Sequence, residues 1–169
     1  MLSMVKILNA IMNIRRIQPQ DISQVSELIK KVMTEYDCVG EGYSINDPEV
    51  EDMYASYNND RSAFYIIENE DRILGCGGIA PLVNGDEKTC ELRKMYFYSE
   101  LRGLGMGQKL LTICLEEAKN IGYTKCYLET VDRMKKAQKL YTRNGFKALT
   151  QAEGNTGHCS CDAYYIKEL

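Results

Sequence analysis

Three glycines within five positions, Gly103, Gly105 and Gly107, lie between a strand-like run and an amphipathic helix pattern. A helix that begins on such a turn has unpaired backbone N–H groups at its start, and its macrodipole adds partial positive charge there. Because glycine lacks a Cβ atom, a phosphate group can approach the backbone closely. The turn at residues 102–107 therefore predicts a site for a phosphorylated ligand.

The spacing of these glycines does not match two common nucleotide motifs. Counted from Gly103, the dinucleotide pattern G-x-G-x-x-G requires a glycine at position 108, which is Gln108 here. A Walker A loop ends in Gly-Lys-Ser or Gly-Lys-Thr, and the sequence contains neither ending. An unrelated nucleotide-binding α/β protein is therefore disfavoured.

The pattern at residues 102–107 is R-x-x-G-x-G, which resembles the signature of the GNAT superfamily of N-acetyltransferases. Other segments resemble the same family in the same order. Residues 91–97 are similar to its fourth strand and residues 128–130 to its fifth. The pattern A-x-x-L-Y-x-x-N-G-F at residues 137–146 is similar to the helix that follows. One position departs from the family, because Met134 stands where relatives often have asparagine.

The resemblance implies an α/β fold, the GNAT-like acyl-CoA N-acyltransferase fold, with a mixed and mostly antiparallel sheet flanked by helices. One central pair of parallel strands splays apart in that fold, and acetyl-CoA enters the gap as co-substrate, without a metal. The main chain of the first of these strands pairs with the pantetheine arm, and the glycine turn holds the pyrophosphate. The implied cofactor-binding residues are Met95, Tyr96, Phe97, Arg102, Gly103, Leu104, Gly105, Met106, Gly107, Gln108, Met134, Ala137 and Tyr141.

The resemblance also implies that a primary amine, of a small molecule or a peptide, attacks the thioester directly in a ternary complex. An alkylamine with a pKa near ~10.4 is mostly protonated at neutral pH, so a base must remove its proton. Glu91, acting through water, is the candidate base and Glu129 the reserve, with a strand-edge ion pair as the alternative role for either. The Met95 N–H would donate to the thioester oxygen, and Tyr141 would protonate or hydrogen-bond the departing thiolate.

The composition is that of an ordinary globular protein, with 27% charged and 44% hydrophobic residues. A length of 169 residues predicts one domain over residues 13–169, preceded by a poorly packed extension at residues 1–12. The formal net charge of −3 argues against a nucleic-acid partner, which needs clustered positive charge. A membrane partner is not expected, because no apolar run reaches the ~18 residues of a membrane span. Residues 1–12 also lack the cleavage site of a signal peptide.

Seven scattered cysteines, an odd number, predict a reducing compartment, the cytoplasm. The only histidine, His158, lies beside Cys159 and Cys161, but these three residues do not complete a four-ligand metal set and their role stays open. Four other cysteines fall in predicted strands or helices and are expected in the core: Cys76, Cys90, Cys114 and Cys126.

A local basic stretch follows the fifth strand. A solvated helix face is the favoured interpretation, and proximity to the cofactor phosphates is the alternative. The cations are Lys135, Lys136, Lys139, Arg143 and Lys147.

Hydrophobic periodicity predicts the elements that would position these residues. Strands are expected at residues 13–17, 64–68, 72–82, 88–98, 123–130, 146–151 and 161–167. Helices are expected at residues 21–36, at residues 48–57, from the glycine turn to about residue 122, and from about residue 132 to 144.

Turn and cap residues connect these elements. Asp21, with Gln24 in a capping box, is expected to cap the first helix, and Asp132 the last. Asn84-Gly85 predicts a hairpin. A right-handed crossover should place the strand at residues 123–130 parallel to the strand at residues 88–98.

Two loops, residues 38–47 and 151–160, are candidates for the acceptor site. In the first, Tyr43, Ser44 and Asn46 are candidate substrate contacts, and an ordinary connector is an equally good interpretation. Dimers are common in the family, so a homodimer is one assembly that the resemblance implies.

A function of a different class also fits the glycine turn. A non-catalytic CoA-binding sensor or regulatory domain would keep the turn and lack turnover. The presence of Tyr141 and of a substrate-sized glycine-containing loop favours the enzyme.

Overall fold

The computed structural model describes residues 11–169. The extension expected at residues 1–12 falls almost entirely outside the described residues, and it stays a prediction. Within residues 11–169, no helix has the length and apolar character needed to cross a membrane.

Seven strands of the described chain form a single sheet. Their bounds are β1 Asn13–Arg16, β2 Ala63–Asn69, β3 Arg72–Pro81, β4 Thr89–Phe97, β5 Lys125–Thr130, β6 Lys147–Leu149 and β7 Ala163–Glu168. The spatial order is β1-β2-β3-β4-β5-β7-β6, and the paired neighbours are antiparallel except β4 and β5, which are parallel. The predicted mixed sheet with one central parallel pair is confirmed.

Four α-helices lie among the described residues: α1 Ile22–Glu35, α2 Met53–Tyr57, α3 Met106–Ile121 and α4 Lys135–Arg143. Short 3-10 turns precede α1, α2 and the glycine turn. The glycine turn does open a helix, and that helix ends at Gly122, which has a left-handed φ of 105°. The predicted hairpin also forms, with Asn84 at a φ of 57° between β3 and β4.

Adjacent residues of a strand point to opposite faces of the sheet, and each face carries its own buried cluster. Phe64 and Ile66 of β2 join the cluster that contains the apolar face of α1. Tyr65 and Ile67 join the cluster that contains α3. The four cysteines predicted in the core are all fully buried: Cys76, Cys90, Cys114 and Cys126.

The predicted caps are wrong at two helices. Asp21 accepts hydrogen bonds from the Gln18 N–H (2.7 Å) and from Arg15, because a 3-10 turn at Pro19–Asp21 starts before α1. Gln24 instead bonds the backbone of the β2–β3 turn. Asp132 does not cap α4, which begins after Met134, and its carboxylate pairs with Lys135.

The helix expected at residues 48–57 is divided. A 3-10 turn at Pro48–Glu51 is followed by α2, and Asp52 between them has a non-helical φ of −150°. The Asp52 carboxylate accepts a hydrogen bond from the Ala55 N–H at 2.9 Å. Asp52 therefore acts as an N-cap in the middle of the expected helix.

The parallel pair separates along its length. Paired residues run only from Thr89 with Lys125 to Glu91 with Tyr127. Further along, β4 is bent by a bulge, where its register with β3 shifts and Lys94 takes a left-handed φ of 53°. Among the described residues, β4 beyond Glu91 therefore pairs with β3 alone, and a cleft opens on its other edge.

Candidate active site

The cleft between β4 and β5 has a volume of about 510 Å³. Its walls come from both diverging strands, the end of α1, the glycine turn, α4, and the loops before α2 and before β7. Of the residues that the sequence analysis nominated for catalysis or cofactor binding, those at the cleft are Glu91, Glu129, Met95, Tyr96, Phe97, Arg102, Gly103, Gly107, Met134, Ala137 and Tyr141.

Four nominated cofactor residues do not line the cleft. Met106 is buried in the core and Leu104 packs against it. The Gln108 side chain exchanges two hydrogen bonds with Asn144, of 2.7 and 2.8 Å, and so joins α3 to the end of α4. Gly105 is the N-cap of α3. Any contact of these four residues with a ligand would come from the backbone.

The glycine turn has the geometry of a backbone-lined cradle. Gly103 and Gly105 have left-handed φ values of 78° and 76°, and a Cβ atom at either position would meet no atom of the described residues within 4 Å. At Gly107, by contrast, a Cβ would lie 3.4 Å from Leu140 Cδ2. No side chain among residues 11–169 caps the start of α3. The first N–H groups of this helix therefore have no side-chain partner there, as an anion site requires.

The Arg102 side chain supports the turn. Its Nε–H donates to the Phe97 carbonyl oxygen at 2.9 Å, and its guanidinium pairs with Glu35 of α1, with Nη2 2.9 Å from Oε2. The guanidinium also lies over the Tyr36 ring, 5.3 Å from its centroid. These contacts fix the glycine turn to the end of β4 and to α1.

Tyr141 of α4 reaches the cleft from a buried position. Its ring packs edge-on against the Phe146 ring, with centroids 5.8 Å apart, and is tilted against the Tyr165 ring, with centroids 6.4 Å apart. Burial raises the pKa of Tyr141. No described side chain hydrogen-bonds its hydroxyl, so the group can donate to a ligand in the cleft.

Two carboxylates border the cleft in different environments. Glu91 is 3% exposed and accepts a hydrogen bond from Arg93 Nε at 2.7 Å. Burial raises the pKa of Glu91, an effect that Arg93 partly offsets. Glu129 accepts hydrogen bonds from the Tyr127 hydroxyl and the Thr156 hydroxyl, both at 2.7 Å.

The pKa of Glu129 moves in the opposite direction. Burial would raise it, but His158, Thr156 and Tyr127 together lower it. Environments that separate the pKa values of two neighbouring carboxylates are typical of acid–base sites.

A set of charged residues that sequence analysis did not assign lies beside these carboxylates. Lys94 is almost fully buried, and its Nζ lies 2.6 Å from Asp47 Oδ2 and 2.9 Å from Glu49 Oε1. His158 Nε2 lies 2.8 Å from the same Asp47 oxygen. The partners are far apart in sequence, and the only signal was that Asp47 and His158 each lie in one of the two candidate acceptor loops.

The candidate residues of the first acceptor loop contribute unequally. Tyr43 and Ser44 line the cleft, whereas the Asn46 amide donates to the Gly40 carbonyl oxygen at 2.7 Å. Arg133 also borders the cleft, and it donates to the carbonyl oxygens of Tyr36 and Asp37 at 2.6 and 2.7 Å.

The basic stretch divides between the two interpretations. Lys135 and Lys136 border the cleft, whereas Lys139, Arg143 and Lys147 are exposed outside it. Among residues 11–169, no group of three or more His, Cys, Asp or Glu side chains could hold a metal ion. His158 instead pairs with carboxylates.

Residues 26–146 match the profile described as the Acetyltransferase (GNAT) family. Over 156 residues the chain is 37% identical to a protein of Escherichia coli (strain K12) named uncharacterized N-acetyltransferase YjgM, across 92% of this chain and 93% of that protein.

Solved structures share the fold at lower sequence identity. A GNAT-family acetyltransferase from Staphylococcus aureus Mu50 superposes with a TM-score of 0.82 at 22% identity, covering 94% of this chain and 99% of that one. The Salmonella typhimurium protein yncA, solved with its cofactor acetyl-CoA, has a TM-score of 0.75 at 16% identity, covering 95% of this chain and 94% of that one.

Proposed function

Because the chain belongs to the acetyltransferase (GNAT) family, we propose that it transfers the acetyl group of acetyl-CoA to a primary amine of a small molecule or peptide. The observation that carries the proposal is a convergence on one cleft. Gly103 and Gly107 of the glycine turn, Tyr141 and Glu91 all border it. These are groups for binding a phosphate, for stabilising a leaving thiolate and for removing a proton.

The described residues fit acetyl-CoA as co-substrate. The uncapped start of α3 and the open space at Gly103 and Gly105 suit a pyrophosphate. The edge of β4 at Met95 and Phe97 does not pair with β5 and suits an extended pantetheine arm, although the Phe97 carbonyl oxygen there already accepts a hydrogen bond from Arg102. The acetyl-CoA bound to the Salmonella typhimurium neighbour supports the same assignment.

The proposed reaction is a direct transfer. The amine nitrogen attacks the thioester carbonyl carbon, a C–N bond forms, and negative charge develops on the carbonyl oxygen. The Met95 N–H is the proposed donor to this oxygen. The C–S bond then breaks as the nitrogen, now bonded to the acetyl carbon, releases its second proton to solvent. The thiolate receives a hydrogen bond or a proton from the Tyr141 hydroxyl, and solvent reprotonates Tyr141 in the second case.

The attacking amine must first lose a proton, and Glu91 is the proposed acceptor, through water. Its raised pKa makes it a better base than an ordinary carboxylate. Glu91 also forms an ion pair with Arg93. Protonation of Glu91 would remove the charge on which this pair depends, and the pair would form again when the proton passes to solvent. Glu129, with its lowered pKa, is the weaker base of the two.

The test is amine-dependent release of CoA thiol. Purified protein is incubated with acetyl-CoA and a panel of primary amines, from small amines to peptides with a free N-terminus. The proposal expects thiol release with at least one amine, above the rate of acetyl-CoA hydrolysis. Acetyl-CoA binding without such release by any amine would support a non-catalytic CoA-binding sensor instead.

A further inference from the structure

A row of charged side chains spans the gap between the diverging strands. Lys94 of β4 contacts Asp47, Asp47 contacts His158 Nε2 at 2.8 Å, and His158 Nδ1 lies 3.7 Å from Oε2 of Glu129 on β5. We call Lys94, Asp47, His158 and Glu129 the charged bridge. It joins β4 to β5 in the region where their backbones are no longer paired.

The charged bridge also anchors the loop at residues 150–162 against the cleft. The Thr156 hydroxyl donates to the same Glu129 oxygen at 2.7 Å and accepts a hydrogen bond from the His158 N–H. The Glu153 N–H donates to the Tyr127 hydroxyl at 3.0 Å. At the far side, Ser160 bonds the carbonyl oxygens of Gly42 and Glu41. The loop is thus fixed to both β5 and the loop before α2.

The electrostatics of the charged bridge centre on His158, whose side chain is 12% exposed. The groups that face it are Asp47 from the loop before α2, Glu129 from β5, and Lys94 and Glu91 from β4. Burial and Lys94 oppose protonation, but the two carboxylates outweigh them and raise the pKa of His158 to about 9. At neutral pH the imidazolium therefore keeps Glu129 ionised at the wall of the cleft.

We propose that His158 is a positioning residue for the acceptor amine, acting by holding the Glu129 carboxylate in place as the anion that receives the acceptor's ammonium group. Glu129 borders the cleft with a side chain that is 4% exposed, and its charge acts on Glu91, whose pKa it raises, so an ammonium bound at Glu129 lies close to the proposed base. The inference rests on the proposed function. It gives the two carboxylates different roles, because Glu129 binds the protonated amine and Glu91 accepts its proton.

Steady-state kinetics of His158→Ala and His158→Gln test this role. For His158→Ala we expect the amine KM to rise about tenfold or more, equivalent to roughly 1.4 kcal/mol. The KM for acetyl-CoA and kcat should stay within about threefold, a smaller change than the ~10²-fold loss expected of an acid–base group. His158→Gln keeps a donor toward Asp47 and should recover part of the amine KM.

Ser160→Ala is the matched control, because it removes a hydrogen bond of the same loop to the Glu41 carbonyl oxygen and leaves the charged bridge intact. Its amine KM should stay near the wild-type value. If Ser160→Ala reproduces the effect of His158→Ala, the loop needs only general anchoring, and the specific role of His158 is contradicted.

The titration of the imidazole gives a readout that does not depend on turnover. His158 is the chain's only histidine, so ¹⁵N-histidine labelling yields one unambiguous ring signal. We expect its titration midpoint near pH 9 in the wild type and a lower midpoint in Asp47→Asn. A wild-type midpoint at the ordinary value near ~6.5 would contradict the charged bridge.

The outcomes separate this inference from the proposed function. If the wild type acetylates an amine and His158→Ala keeps its amine KM, only the role of His158 is wrong. If no amine supports turnover while the midpoint lies near pH 9, the bridge exists but the proposed function is wrong, and with it the positioning role.

Discussion

At the scale of single residues, two carboxylates and one phenol face a common cleft with different partners. Glu91 is paired with one guanidinium and is otherwise surrounded by buried groups, so its pKa rises. Glu129 receives two hydroxyl hydrogen bonds and the field of His158, so its pKa falls. Tyr141 has no hydrogen-bond partner among the described residues, and its hydroxyl is free to serve a ligand. These differences determine which substitution should change which kinetic constant.

Replacing Tyr141 with phenylalanine should slow catalysis and keep the architecture. The ring still packs against Phe146 and Tyr165, so thermal stability and acetyl-CoA affinity should stay near the wild-type values. We expect kcat and kcat/KM to fall together by roughly 10²-fold, because thiolate charge exists only near the transition state. The measurement is steady-state thiol release.

Tyr165→Phe is the control for this experiment. It removes a hydroxyl that donates to Gln138 at 2.9 Å from a neighbouring buried tyrosine, and its kcat should stay close to wild type. Wild-type turnover by Tyr141→Phe, with chemistry shown to be rate-limiting, would make Tyr141 a packing residue.

Replacing Glu91 with glutamine tests the proposed base. In the wild type, kcat/KM should decline as the pH falls through the raised pKa of Glu91, because the protonated carboxyl cannot accept the amine proton. Glu91→Gln should lower kcat by about 10²-fold and abolish this acidic limb of the profile. If the limb persists in Glu91→Gln and disappears in Glu129→Gln, the base is Glu129.

The candidate residues that could be predicted from the sequence are those in short contiguous motifs. Tyr141 was nominated because it lies within one pattern of ten residues. His158 was considered as a metal ligand and as part of a candidate acceptor loop, but its contact with Asp47 was not predicted, because the two residues lie 111 positions apart in the chain. Only the fold brings such pairs together, so their chemistry depends on tertiary geometry.

At the scale of elements, the glycine turn and α3 form the part of the site that depends most on backbone geometry. Gly105→Val places a β-branched residue at a φ of 76° and fills the space in front of the helix start. We expect acetyl-CoA affinity to fall by about tenfold or more, equivalent to roughly 1.4 kcal/mol. Isothermal titration with acetyl-CoA measures the change.

Gly122→Val is the control for Gly105→Val, because it separates the effect of backbone strain from the effect of losing the ligand site. Gly122 ends the same helix at a φ of 105°, and a Cβ there also meets no described atom within 4 Å. Both variants should therefore lose a similar amount of stability, roughly 1–3 kcal/mol. Only Gly105→Val should lose affinity. Equal affinity in the two variants would mean that the glycines serve the fold alone.

Element types could be predicted from periodicity, but several ends could not. Asp21 and Gln24 suit a capping box by spacing, yet Arg15 and the β2–β3 turn supply better partners for them. The bulge in β4 is another feature that periodicity could not predict. The segment around Lys94 has an ordinary strand pattern, and its left-handed φ accompanies ion pairs with Asp47 and Glu49 from a distant loop.

At the scale of the whole molecule, the cleft exists only when the sheet is assembled, because β4 and β5 are joined through α3 and pair only at one end. A ligand that binds only the folded cleft should therefore stabilise the entire domain. Acetyl-CoA at a hundredfold excess over its Kd adds about 2.7 kcal/mol. For a domain of this size, the melting temperature should rise by roughly 5–11 °C.

Desulfo-CoA should retain much of this thermal shift, since the glycine turn holds the phosphates and neither the thiol nor the acetyl group. Differential scanning fluorimetry at several ligand concentrations measures both ligands. If neither raises the melting temperature at millimolar concentration, the assignment of residues 102–107 to a phosphate site is wrong.

The most direct test of acetyl transfer follows the acetyl carbon itself. Acetyl-CoA labelled with ¹³C at the carbonyl is mixed with protein and an amine that supports thiol release, and the carbonyl signal is followed by NMR. We predict that the thioester signal is replaced by an amide signal, with one amide formed per thiol released and the rate strongly reduced in Tyr141→Phe. Conversion of the label to acetate alone, or a thioester signal that stays unchanged in the presence of the amine, would contradict the proposed N-acetyltransferase activity.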